Sequence, residues 1–147
     1  MEFVMKPIGI IHSPYEEKEQ MPIQASRSQA IGMAEIYPEF AEGLQDIEGF
    51  SHIILIYAFH RSSGYELHIK PFLDDHERGL FSTRYPRRPN PIGLSIVHLI
   101  LRQENTLTFE GADVLNGTPL LDVKPYVPDF DQQTEVHTGW YETRSKQ

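Results

Sequence analysis

The chain of 147 residues contains no cysteine, which excludes a disulfide framework, a thiolate metal centre and a cysteine nucleophile at one stroke. It has no run of roughly 18 uncharged apolar residues, and Met1-Glu2-Phe3-Val4-Met5-Lys6 lacks the basic start and long apolar stretch of an export signal. No membrane span and no export are expected, so the cytoplasm is the natural compartment. No G-x-G-x-x-G opens a helix after a strand, which disfavours a Rossmann-type nucleotide site. No G-x-S-x-G elbow supports a serine triad. The seven histidines show no H-x-x-x-H spacing, so no metal is expected. Basic charge is also scarce. Thirteen Lys and Arg stand against 21 Asp and Glu, a formal net charge of -8, which argues against a non-specific nucleic-acid binder.

A hydrophobic content of 39% over this length supports one cored domain, and no composition break divides residues 1–147. Short apolar or alternating segments predict strands over Val4–His12, Gly32–Tyr37, His52–Phe59, Tyr65–Ile69, Leu80–Thr83, Ile92–Leu101, Thr106–Gly111 and Leu120–Tyr126. His52–Phe59 is nearly continuous in apolar residues, as a central strand buried on both faces would be. Gln103-Glu104-Asn105 reads as a hairpin connection. The one helical signal is Pro38 followed by an acidic first turn and the Phe40/Leu44 spacing, enough for one or two turns. About seven short strands with one short helix predict an all-β fold, a small closed or partly open barrel. Glu16–Arg27 is a polar stretch longer than a plain connection needs, read as either a functional segment or a surface excursion.

The scarce cations are concentrated. Thr83-Arg84-Tyr85-Pro86-Arg87-Arg88-Pro89-Asn90-Pro91-Ile92-Gly93 interleaves three arginines with three prolines. Each proline fixes its own φ and restricts the residue before it, so the segment is stiff without regular structure. Guanidinium groups held in this way suit carboxylates, phosphates or the flat face of a base. The bland alternative is a solvated turn. Asn116-Gly117-Thr118-Pro119 is a turn signal before the last strand, either a structural hairpin or an array of backbone groups offered to an adenine or ribose. Asp122 and Lys124 are two apart on that strand and share a face, as a ligand-facing pair or as a surface salt bridge. Tyr126 ends the strand with an aromatic ring available for stacking. His60-Arg61 closes the central strand at the lip of the core.

Arg88-Pro89-Asn90-Pro91-Ile92-Gly93-Leu94-Ser95 and Asn116-Gly117-Thr118-Pro119-Leu120-Leu121-Asp122-Val123-Lys124-Pro125-Tyr126, with Ile8–Tyr15 and Gly49-Phe50-Ser51-His52, resemble the TsaA-like (YaeB, TrmO) family. The resemblance spans about Lys6 to Asp131. It implies a non-Rossmann β-barrel that binds S-adenosyl-L-methionine, typically as a homodimer. It also implies methylation of N6 of an already modified adenosine, threonylcarbamoyl-adenosine at position 37, beside the tRNA anticodon. Carried over by motif, the donor contacts are Pro22-Ile23-Gln24, His60-Arg61, Arg88, His98 and Leu115-Asn116-Gly117-Thr118. Catalysis is assigned to Asp122, Lys124 and Arg84, and substrate binding to Arg84, Tyr85, Arg87 and Tyr126.

Two positions depart from the family pattern: Asn116 where Asp is frequent, and Tyr85 where Ser is frequent. Asn keeps the hydrogen-bond acceptor and loses the charge. The stretch after Asp131 is short beside the extension that helps some relatives hold tRNA. A non-catalytic module that binds or senses S-adenosylmethionine, and a methyltransferase for another amine, stay open as alternatives.

Overall fold

The computed structural model describes residues 1–21, 28–72 and 74–142. Its centre is a closed six-stranded antiparallel barrel built from β1 (Gly9–His12), β2 (Ile31–Ile36), β3 (His52–Ala58), β6 (Ile92–Gln103), β7 (Thr106–Glu110) and β8 (Thr118–Pro125). The strand order is β1-β2-β7-β6-β3-β8, with β8 returning to β1. A separate two-stranded ribbon pairs β4 (His68–Ile69) with β5 (Arg78–Gly79), and a short α-helical turn, α1, is Pro128–Asp131. The all-β barrel expected from the sequence is therefore the fold.

Alternation with period two decides which side chains enter the barrel. Ile53, Leu55 and Tyr57 of β3, Val97 and Leu99 of β6, Leu107 and Phe109 of β7, Ala34 and Ile36 of β2, Ile11 of β1 and Leu120 of β8 form the core. On β8 a register shift opposite Ile56 and Tyr57 inserts Leu121 as a bulge. Thr118 and Leu120 face inward before the bulge, and Val123, opposite Leu55, faces inward after it. Asp122 and Lys124, opposite Ile56 and Ile54, are thereby turned to the outside.

Several sequence expectations need correction. The first strand is Gly9–His12 rather than Val4–His12, although Ile8 still donates its amide to Leu120 O at 2.8 Å. Only the last two residues of Tyr65–Ile69 are strand, and Leu80–Thr83 is a 3-10 turn, Leu80–Ser82. The segment starting at Pro38 is helical as expected, but as a 3-10 helix, Pro38–Leu44. β3 is buried on one face, with Ile54 and Ile56 half-buried outside, because a closed barrel has only one interior. The Asn-Gly turn does not form a hairpin: β7 and β8 are not neighbours, and 111–117 crosses the barrel mouth between them.

Antiparallel closure sorts the connections between two ends. Pro38–Leu44 and Ile47–Gly49 plug one end with Leu44 and Ile47. At the other end lie the segments following β1 and β3, the Arg/Pro loop entering β6 and the turn entering β8. Four stretches far apart in sequence are thereby brought to one mouth.

Candidate functional site

The open mouth holds a cleft lined by Glu17, Lys18, Glu19 and Met21 after β1, and by Tyr57, Phe59, His60, Arg61 and Ser62 at the end of β3. Pro86 of the Arg/Pro loop and Asp113, Val114, Leu115 and Thr118 before and within β8 complete it.

The aromatic wall depends on a missing side chain. Tyr57 and Phe59 meet edge to face with centroids 5.6 Å apart, across the strand from Gly93. A Cβ at Gly93 would overlap the Tyr57 ring and come within 2.6 Å of Phe59 Cζ. The glycine of the Arg/Pro motif is thus the notch into which both rings fit.

Opposite this wall, Leu115-Asn116-Gly117-Thr118 forms a tight turn. Thr118 N donates to Leu115 O at 3.2 Å, and Gly117 takes φ +87°, as the third position of a type II turn requires. The Thr118 hydroxyl donates to Leu115 O at 2.7 Å. Asn116 N donates to Tyr15 O at 2.7 Å and Gly117 N to Ile11 O at 2.8 Å. The Asn116 side chain accepts from Ser13 N at 3.0 Å and donates to Glu16 Oε1 at 3.0 Å. The Asn116 and Gly117 amides tie the turn to Tyr15 and to Ile11 of β1, and the Thr118 amide closes the turn itself. Leu115 and Thr118 line the cleft, and Asn116 and Gly117 build its wall.

At the floor runs a polar chain that sequence reasoning missed. The Tyr57 hydroxyl lies 2.7 Å from Ser95 Oγ, which lies 2.7 Å from Asp113 Oδ1. Ser95 has one proton and gives it to the carboxylate, so the Tyr57 hydroxyl must be the donor to Ser95. Burial first, and the Asp113 charge second, hold the Tyr57 phenol well above its ordinary value of 10, which keeps that donor protonated. The available signal was a serine at an inward position of β6, among Gly93, Val97 and Leu99, together with an acid inside the apolar stretch 111–115.

The remaining predicted residues fall into three groups. His60 and Arg61 line the cleft. Burial, then the neighbouring Arg61 charge, pushes His60 below its ordinary value, so it is neutral at pH 7. Arg61 donates to Glu16 O at 2.9 Å and pairs with Glu17 at 3.5 Å. The arginine loop flanks the same mouth. Arg88 is folded back, donating to Thr83 O and Tyr85 O at 2.9 and 3.0 Å and lying over the Phe81 ring. Arg87 Nε donates to Ser63 O at 3.1 Å. Arg84 and Tyr85 are exposed, and Arg84 has no hydrogen-bond partner among the described residues. The third group is not at the cleft. Asp122 and Lys124 form a 3.1 Å ion pair on the outer wall toward the plugged end. His98 stacks on His52 there at 5.2 Å, with Tyr126 edge-on to His52. Asp122 and Lys124, expected to be catalytic, are turned away from the mouth by the β8 bulge. Pro22, Ile23 and Gln24 lie outside the described residues, next to the cleft residue Met21.

Asp74, Asp75 and His76 are the one group among the described residues close enough to share an ion. Asp74 there is already committed, accepting from Arg78 Nε at 2.9 Å and from two backbone amides. The Arg78 hydrogen bond is the main reason its carboxyl is held well below the usual range.

Residues 10–132 match the sequence model of the family described as the tRNA-methyltransferase O N-terminal domain. This chain belongs to that family. It is 54% identical over 138 residues to a probable S-adenosyl-L-methionine-binding protein of Pyrococcus abyssi, covering 93% of this chain and 75% of the relative. It is 32% identical over 151 residues to the mouse tRNA (adenine(37)-N6)-methyltransferase, covering 95% of this chain and 35% of the mouse protein. The crystal structure of TrmO from Pseudomonas aeruginosa superposes with a TM-score of 0.80 at 37% identity, over 95% of this chain and 62% of that one. The TrmO-type barrel thus accounts for nearly all of this chain and only part of the longer relatives. No helix among the described residues is long and apolar enough to cross a membrane.

Proposed function

We propose that the protein is an S-adenosylmethionine-dependent methyltransferase acting on N6 of threonylcarbamoyl-adenosine at position 37 of tRNA. The observation that carries this is convergence: Pro86 of the Arg/Pro loop and Leu115 and Thr118 of the Asn-Gly turn line one cleft with His60 and Arg61. The relative from Pyrococcus is named for binding the donor and the mouse relative for methylating adenine 37.

The lining fits such a donor. Tyr57, Phe59 and Leu115 offer an apolar, aromatic slot for a purine, while Thr118, His60 and the segment around Met21 supply the polar rim. Pro22, Ile23 and Gln24 are proposed to complete it. The donor supplies an electrophilic methyl group on a sulfonium, and transfer to an amine is an in-line displacement in which positioning dominates. The task of the chain is to hold both partners in line, exclude water with the aromatic wall, and keep a proton acceptor near the amine. Asp113 at the floor is better placed for the last role than Asp122. Arg84 and Arg87, exposed beside the mouth, are proposed to hold anticodon phosphates or the carboxylate of the modified base, with Tyr85 stacking on a base.

We propose a homodimer as the working form. The outer wall of β3 and β6 exposes Leu94, Ile96 and Ile100 beside Ile54 and Ile56, an apolar surface on a charged protein. A second copy seated there would place His98, His52 and Tyr126 in the interface, and two arginine loops would share one field.

Incubation with labelled donor and total tRNA, followed by digestion to nucleosides, tests the activity. Label in an N6-methylated threonylcarbamoyl-adenosine supports it; donor binding without transfer to any nucleoside sinks it in favour of the sensor. In the Arg84→Ala, Arg87→Ala double variant, the slope of log affinity for tRNA against log salt is expected to flatten by roughly 0.7 for each phosphate that is no longer neutralised, with donor affinity retained.

A further inference from the structure

The chain from Pro128 to Gly139 is exposed throughout, and Trp140, the only tryptophan of the sequence, is the first side chain after it to be partly covered. Its partners lie outside the barrel. The indole Nε1 donates to Ser82 O at 2.9 Å, and the Arg78 guanidinium lies over the ring, 5.4 Å from its centroid. Arg78, in β5, is itself fixed by Asp74, which is 7% exposed and accepts from Arg78 Nε at 2.9 Å. The ribbon thus holds a cation in place, and a cation so held attracts an aromatic face.

Ser82 is where this contact matters. It ends the 3-10 turn Leu80–Ser82, and carbonyls at the end of a helical turn need partners from outside it. The next residue, Thr83, opens the Arg/Pro loop. Thr83 N and Oγ1 donate to Leu80 O at 3.1 and 2.7 Å, Tyr85 N donates to Thr83 Oγ1 at 3.3 Å, and Arg88 donates to Thr83 O and Tyr85 O. The loop is braced on the turn, and Leu80 is buried beneath it. Further along, Ser62 Oγ donates to Pro86 O at 3.4 Å and Arg87 Nε to Ser63 O at 3.1 Å. Prolines stiffen the loop internally, but only these attachments fix it to the body of the protein. The Ser82–Thr83 peptide is a rigid plane with its oxygen held by Trp140 and its N–H held by Leu80 O. Removing the indole leaves that plane one tether.

We propose that Trp140 is a positioning residue for the arginine loop: by holding Ser82 O it fixes the turn on which Thr83, Tyr85 and Arg88 are braced, and so aims Arg84 and Arg87 at an RNA phosphate backbone. This rests on the tRNA reading above. Trp140 lies outside the lining of the cleft, so donor binding does not depend on it.

Hydrogen exchange and tRNA kinetics on the full chain, wild type against Trp140→Ala, test this. Exchange at the Thr83 and Tyr85 amides is expected to quicken about fivefold, with the amides of β3 and β6 unchanged. KM for tRNA is expected to rise about fivefold at unchanged kcat, with affinity for S-adenosylmethionine within about twofold of wild type. Unaltered exchange at the two amides overturns the proposal, as does faster exchange with an unchanged KM. Equal losses of tRNA and donor binding, the mark of a general structural role, overturn it as well. If wild type neither binds nor methylates tRNA, the tRNA reading itself has failed, and the exchange result alone decides whether Trp140 holds the loop. Should Trp140→Ala not fold by circular dichroism, Trp140→Phe keeps a ring over Arg78 and removes the donor to Ser82 O. It is expected to quicken the same two amides about twofold, and no change in them refutes the role.

Discussion

Two carboxylates sit at opposite ends of the same barrel. Asp122 is on the outer wall toward the plugged end, with 47% of its side chain exposed and Lys124 Nζ 3.1 Å away. Asp113 is at the open mouth, beside a buried phenol and a buried serine hydroxyl. In the sequence, Asp122 is the more conspicuous, in a long motif with a basic partner two residues on. In the fold, Asp122 pairs with that partner on a half-exposed surface, whereas Asp113 accepts a hydrogen bond from Ser95 in the lining of the cleft. Partnership with a lysine marks a solvated surface pair. A hydroxyl donor such as Ser95 fixes the orientation of a carboxylate at the cleft.

The strongest way to break this contrast is to deny the inner chain its space. Gly93→Ala forces a methyl group into the Tyr57 and Phe59 rings. It is expected to cost about 1–3 kcal/mol in chemical denaturation and to abolish donor binding. Unaltered stability and binding would mean that the aromatic wall is not held as described. A sharper and smaller effect is electrostatic. Tyr57 titrates above its ordinary value of 10 because of burial and Asp113. The raised folded value means that its contribution to stability is complete below pH 10 and drains away as pH rises through the folded value. Asp113→Asn should bring the Tyr57 ionisation, read from tyrosinate absorbance, down toward 10 while leaving it elevated by burial. Asp122→Asn should leave the same titration where it is. The smallest effect belongs to the outer pair. A double-mutant cycle over Asp122→Ala and Lys124→Ala is expected to give a coupling of about 0–1 kcal/mol that shrinks with salt, and no change in donor affinity. A large coupling, or a loss of donor binding, would return Asp122 to the site.

Much of the barrel was legible in the residues. β2, β3, β6 and β7 follow their alternation to within a residue or two, because inward and outward positions of a sheet differ in solvent and the chain must encode that difference. The irregular arginine loop was readable from its prolines. The weak points were β1, where Val4–Lys6 looks strand-like but finds no partner, and the Leu80–Thr83 segment, where four residues are too few to tell a strand from a 3-10 turn. Of the residues lining the cleft, His60, Arg61, Leu115 and Thr118 stood out in the sequence through their motifs. Tyr57, Ser95 and Asp113 did not, since each is ordinary in its own segment and significant only beside the other two.

The sequence by itself determined the all-β character, the absence of thiol chemistry, the stiff cationic loop and the family. Those properties reside in composition, in period-two patterning and in contiguous motifs, all of which are local. The tertiary structure alone decided which residues share the cleft. Closure of an antiparallel barrel sends alternate connections to the same end, and one bulge on β8 turned Asp122 outward while β6 and the mouth turn brought Ser95 and Asp113 together. Pairing across the barrel joins residues 18 to 38 positions apart, and no local pattern encodes it.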